Sequence, residues 1–186
     1  MAEVKTIQLA EGVSVTAPND LSVSSVGGGG GGGLQWNPVA GQAPLEDQEN
    51  GEKVYLFENG LTQKLTVFLK VPSTYIAGSP INMRLAIYSP FGGDTILMST
   101  TSSLIQEGSD PVSSITNQHV STNTAVTNTF VDEYHEIVLD ITDPDGEMNS
   151  IAVEPSDMIR VELTRSTDTD PEDTRFVPSA TEVTFS

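Results

Sequence analysis

Four acidic side chains crowd the segment Asp140-Ile141-Thr142-Asp143-Pro144-Asp145-Gly146-Glu147, and hard oxygen ligands at such spacing can suit Ca²⁺. The spacing does not match a twelve-residue EF-hand loop. Asp-Pro-Asp-Gly is also an ordinary turn between strands, and the turn is the reading preferred here. A second cluster, Asp168, Asp170, Glu172 and Asp173 around Pro171, reads as a solvated loop. The two histidines, His119 and His135, stand on separate segments and form neither His-x-His nor His-Glu-x-x-His. His135 is expected on the polar face of its strand. Serines are plentiful, yet no Gly-x-Ser-x-Gly elbow marks one as a nucleophile. With 26 acidic residues, any pair could be nominated for glycoside hydrolysis, so that signal is empty. Trp36, Tyr75, Tyr88 and Phe91 could line a sugar-stacking platform, although core or interface packing is the commoner fate of such rings. No catalytic, cofactor-binding or metal-ligating residue is therefore assigned.

The composition narrows the classes further. The chain has 186 residues, enough for one domain with a real core plus an appendage. Apolar residues make up 37% and charged residues only 18%, so Ser, Thr, Asn and Gln must supply much of the surface. That balance suits an extracellular or virion β-protein better than a helical enzyme. Eight basic residues stand against 26 acidic ones, a formal charge of −18, which opposes binding to nucleic acid or to an anionic membrane. No apolar run is long enough to span a bilayer as a helix, and the start Met1-Ala2-Glu3-Val4-Lys5 has no signal-peptide core. Cysteine is absent, so disulfides and thiolate chemistry are excluded.

The elements that must position these residues are read as strands. Residues 1–26 form an N-terminal arm with short strands at Val4–Leu9, Val13–Thr16 and Leu21–Val26. Gly27 to Gly33, seven glycines in a row, make a flexible linker of roughly 15 Å root-mean-square span. The β-sandwich then covers 34–186. Ala40 to Gly51 reads as a polar loop. Val54–Phe57 and Lys64–Val71 read as a hairpin closed by Asn59-Gly60, the strongest local hairpin signal. Leu65, Val67 and Leu69 share one face, with Phe68 on the other suggesting a further buried patch. In Ile81–Tyr88 the apolar face is Ile81, Met83, Leu85 and Ile87. Further strands are expected at Thr95–Thr101, Ser114–Val120, Ala125–Thr129, Tyr134–Ile141, Asp157–Thr164 and Glu182–Phe185, with one helical turn at Leu104 to Gln106. Strands at this spacing, punctuated by Gly, Pro and Asp, predict an all-β antiparallel sandwich or barrel.

Three pieces carry a family resemblance. They are Leu69-Lys70-Val71-Pro72-Ser73-Thr74-Tyr75; Ile137 to Asp143 with Gly146 and Ile151-Ala152-Val153; and Asp157 to Arg165 with its Thr/Asp-rich loop and final strand. In this pattern the chain resembles phage virion structural proteins of the head-decoration, cement or tail-fibre type. The resemblance implies a jelly-roll sandwich, commonly trimeric, in a virion, contacting the major capsid protein or other virion proteins, with no catalytic residues and no cofactor. A carbohydrate- or receptor-binding module of a tail appendage is the alternative.

Overall fold

The computed structural model describes residues 34–49, 51–58, 60–89, 95–108, 110, 115–121, 124–127, 133–165 and 173–185, with 124–127 described in backbone only. The N-terminal arm, the glycine run, Phe91 and the 168–172 acidic stretch lie outside the described residues.

Thirteen strands are present among the described residues. They are β1 (Asn37–Pro38), β2 (Leu45–Glu49), β3 (Glu52–Phe57), β4 (Lys64–Lys70), β5 (Ile81–Tyr88), β6 (Thr95–Ile105), β7 (Asn117–Val120), β8 (Thr124–Thr127), β9 (Tyr134–Asp140), β10 (Glu147–Met148), β11 (Ile151–Ala152), β12 (Met158–Arg165) and β13 (Thr174–Phe185). One sheet runs β1-β4-β12-β6-β7, with β8 also paired to β6; the other runs β2-β3-β13-β5-β9. All pairings are antiparallel. From β3 to β6 the chain changes sheet at every strand, and the last strand inserts between β3 and β5. This is a jelly-roll sandwich: the strand spacing points to a sandwich or barrel, and the resemblance implies the jelly roll.

The period-2 pattern builds the core. Leu65, Val67 and Leu69 of β4 and Ile159, Val161 and Leu163 of β12 face Ile81, Met83, Leu85 and Ile87 of β5 and Ile137 and Leu139 of β9, all buried. At one end Phe176 packs edge-on to Trp36 at 5.1 Å and stacks with Tyr55 at 6.5 Å, and the Tyr55 hydroxyl donates to the Trp36 carbonyl at 3.0 Å. A smaller staple closes one open edge: His119 Nε2 on β7 lies 2.6 Å from Asp140 Oδ2 on β9, joining the two sheets.

Several sequence expectations are corrected. Residues 54–57 and 64–70 are not a hairpin, because β3 and β4 belong to different sheets. The 58–63 segment instead crosses between layers, with Gln63 Oε1 accepting from the Glu58 amide at 2.6 Å. Apolar alternation on both strands could not say whether they pair or face one another. Leu104 and Ile105 continue β6 rather than forming a helical turn, since their amides join the ladders to β12 and β7. The supposed polar loop 40–51 contains β2, an edge strand whose exposure on both faces removes the apolar signal. Phe68 is 42% exposed rather than buried. His135 pairs with Ile87 and shares the inward parity of Ile137 and Leu139, so it is not on the polar face.

Candidate functional site

The turn proposed as a calcium alternative has a clear internal structure. Asp143 Oδ1 accepts from the amides of Asp145 at 3.1 Å and Glu147 at 2.8 Å, so this carboxylate caps its own turn. Gly146 occupies φ +69°, and a Cβ there would meet Ser79 O at 2.5 Å, Ser79 N at 2.8 Å and the Tyr75 hydroxyl at 2.8 Å. Glycine is thus required by backbone conformation and by close approach. Asp140 is engaged elsewhere, with His119. Among the described residues no three His, Asp or Glu side chains gather as a metal site.

The aromatic quartet nominated from sequence does not assemble into a platform. Trp36 and Tyr75 are core residues, at 4% and 5% exposure, and Phe91 lies outside the described residues. Only Tyr88 reaches a surface, on the outer face of the β2-β3-β13-β5-β9 sheet. There it meets a partner that the sequence reading passed over.

That partner is Tyr134. It stands directly opposite Tyr88 in the β5–β9 register and is 55% exposed. One cross-strand row runs Leu56, Arg175, Tyr88, Tyr134 over β3, β13, β5 and β9. With neighbouring strands about 4.8 Å apart, the row spans about 14 Å. Glu49 on β2 bonds both central members: its carboxylate is 2.9 Å from Arg175 Nε and accepts from the Tyr88 hydroxyl. The Arg175 guanidinium also sits 5.8 Å from the Tyr88 ring centroid. Tyr88 is therefore fixed from two sides.

Tyr134 is set in a second polar cluster. Its hydroxyl donates to Glu136 Oε1 at 3.2 Å, and Glu136 Oε2 lies 3.6 Å from Arg84 Nη1. Glu182 pairs with Arg84 across β13–β5. Partial burial, then the bond to Glu136 and the negative charges of Glu136 and Glu182, hold the Tyr134 phenol above the usual tyrosine range, with Arg84 pulling the other way. Val138, also exposed, continues this outer face along β9. The alternation Tyr134, Glu136, Val138 against His135, Ile137, Leu139 contained the signal. What the sequence lacked was the pairing that puts Tyr134 beside Tyr88.

Chemically, the surface offers one exposed aromatic ring opposite a second in the strand register, with carboxylate acceptors and guanidinium donors beside them. Such a set can stack on an apolar ring face while bonding hydroxyl groups around the ring's rim.

No protein-family model matches the chain, and no curated protein matches it. Several solved structures superpose on the chain. The family 11 carbohydrate-binding module of the cellulosomal cellulase Lic26A-Cel5E of Clostridium thermocellum superposes with a TM-score of 0.46 at 8% identity, covering 92% of this chain and 97% of that one. A non-crystalline-cellulose-specific module, CBM28, superposes with a TM-score of 0.45 at 9% identity over 77% and 85% of the respective chains. The enzymatically active domain of tailspike protein 4 from bacteriophage CBA120 gives 0.38 at 10% identity, over 82% of this chain and 18% of that one.

Proposed function

We propose that this protein is a non-catalytic carbohydrate- or receptor-binding module whose ligand lies along the outer face of the β2-β3-β13-β5-β9 sheet. The observation that carries this reading is Tyr134, more than half exposed, directly opposite Tyr88, and flanked by the Arg84–Glu136 and Arg175–Glu49 pairs. Pyranose rings present C–H faces to aromatic side chains and hydroxyls to flanking carboxylates and guanidiniums. A row about 14 Å long suits a short run of sugar units rather than one. Because Glu49 and Arg175 already hold Tyr88, little ordering cost falls on that part of the surface at binding. The test is a screen of neutral plant and bacterial polysaccharides, with affinities then measured by calorimetry. Binding that Tyr134→Ala weakens about tenfold supports the assignment; no binder in the screen, or a binder indifferent to Tyr134 and Tyr88, counts against it.

A second reading is favoured by a separate observation. Trp36, Tyr55 and Tyr75 are all buried, so most of the large aromatics serve packing. A virion structural protein, assembled as a homotrimer and contacting the major capsid protein or other virion proteins through repeated subunit interfaces, needs no ligand platform. Sedimentation of the purified protein at micromolar concentration distinguishes the two: a stable trimer above the 19.8 kDa monomer favours the structural role.

A further inference from the structure

The two outer faces of the sandwich carry opposite charge. On the β2-β3-β13-β5-β9 face the outward strand positions hold Asp47, Glu49, Glu52, Glu136, Asp140 and Glu182 against Arg84 and Arg175. On the β1-β4-β12-β6-β7 face the outward positions hold Lys64, Lys70 and Arg160 against one carboxylate, Glu162. Three of the chain's eight Lys and Arg residues thus share one sheet, whose outward strand positions carry two more positive than negative charges in a chain of formal charge −18. The sheets are about 10 Å apart. The two outer faces point away from each other across the buried core, so a ligand on the cationic face has Lys64, Lys70 and Arg160, not the acids of the other face, as its nearest strand charges apart from Glu162.

Aromatic and hydrogen-bonding groups accompany this charge in one cross-strand row. Phe68 on β4 stands opposite Arg160 on β12, which stands opposite Ser103 on β6, which stands opposite Gln118 on β7. Gln118 Nε2 donates to Ser103 Oγ at 3.3 Å. Glu162 binds Lys64 at 2.7 Å and takes Arg160 through Nη2 at 3.3 Å, which orients a guanidinium whose fork has five donors. Lys70, whose ammonium donates to the Ser156 carbonyl, marks the next step along β4 from Phe68.

We propose that this face is a second ligand site, for a polysaccharide bearing carboxylates, a polyuronate. Phe68 supplies the stacking surface, Arg160 the planar donor pair that matches a carboxylate, and Lys70 a second cation about 7 Å along the strand. The choice of a saccharide as occupant rests on the glycan-binding reading above; the charge asymmetry does not. A flat face whose outward strand positions carry an excess of only two positive charges suits a polymer of modest charge density better than the phosphate backbone of a nucleic acid, which rewards many cations.

The experiment uses full-length protein at 0.15 M salt with polygalacturonate as the probe, followed by affinity electrophoresis and calorimetry. Fully methyl-esterified polygalacturonate, dextran sulfate and duplex DNA are the comparison ligands. Polygalacturonate is expected to bind, at least tenfold more weakly in Phe68→Ala and in Arg160→Ala, and equally well in Tyr134→Ala; the methyl ester is expected not to bind. Lys70→Glu, on an exposed side chain, serves as a second variant and is expected to weaken binding without moving the Tm. Equal binding of the methyl ester overturns the charge requirement. Binding of dextran sulfate or DNA as tight as that of polygalacturonate overturns the saccharide assignment. Loss of a native oligomer in Lys70→Glu, with no polysaccharide bound, overturns it in favour of a subunit interface. Failure of neutral glycans alone, with polygalacturonate bound through Phe68 and Arg160, would remove the Tyr134 platform and leave this site standing.

Discussion

Tyr134 projects to solvent directly opposite Tyr88, and the two rings differ in what holds them. Tyr88 is fixed by Glu49 and Arg175, whereas Tyr134 has one hydroxyl bond, to Glu136. A ligand meeting this pair finds one rigid ring and one adjustable ring. Glu136 links Tyr134 to the charge cluster, because it bonds Tyr134 and pairs with Arg84.

Replacing Glu136 by Gln should therefore move the Tyr134 titration. The phenol is raised first by partial burial and then by Glu136, through both its bond and its charge. Removing that charge lowers the phenol towards the ordinary tyrosine value while burial remains. Absorbance titration at 295 nm, with Tyr134→Phe identifying the signal, checks this. An unchanged or higher Tyr134 titration in Glu136→Gln would show that the carboxylate is not the neighbour described here.

Tyr75 should make the fold sensitive to alkali. Burial is the main cause holding its phenol above the usual tyrosine value, with hydrogen bonding to the Ser79 backbone opposing and the negative charges of Glu154 and Asp143 adding to the rise. Because the folded state holds this proton more tightly, the contribution is fully present below about pH 10 and is lost as pH rises through the folded value. The Tm should fall from about pH 10 upward. Tyr75→Phe should flatten that fall; a parallel decline in the variant would assign it to other groups.

Gly146→Ala should be costly for so small a change. The added methyl meets Ser79 backbone atoms at 2.5 and 2.8 Å, and the residue must hold φ +69°. A cost of about 3 kcal/mol is expected from the backbone conformation and the displacement together. For a domain of this size that lowers the Tm by roughly 6–12 °C. A shift below about 2 °C would mean that the 75–79 loop moves aside freely.

Two truncations should behave differently. Trp36 is buried against Phe176, and its carbonyl accepts from Tyr55, so the domain needs it. A protein starting at Leu34 should keep nearly the full-length Tm. One starting at Val39 loses the Trp36 contacts, worth roughly 3–5 kcal/mol by analogy with deleting a large buried aromatic. If the protein starting at Leu34 already unfolds, the arm belongs to the sandwich. If both melt alike near the full-length value, Trp36 is dispensable.

Much of the architecture was legible in the alternation of apolar residues. Ile81–Tyr88 was placed in full, and Leu65, Val67 and Leu69 face the core as their period-2 spacing requires. Pairing was less legible. Asn59-Gly60 looked like a hairpin turn, yet in a jelly roll consecutive strands change sheet, a choice made by distant contacts such as β13 against β3 and β5. Edge strand β2 and the β13 stretch before its irregularity carry too little alternation to stand out. The same limit hid the site. Trp36 and Tyr75 resemble surface aromatics in sequence and are core in the fold, while Tyr134 gains meaning only beside Tyr88, which lies 46 positions earlier in the chain.

The most direct test of the glycan-binding account is calorimetric titration of wild-type protein and Tyr134→Ala with the best neutral oligosaccharide from the screen. Truncation at this exposed position should leave the Tm within about 1 °C of wild type and weaken binding about tenfold, close to 1.4 kcal/mol. Wild-type affinity in Tyr134→Ala, with the Tm unchanged, would contradict the account.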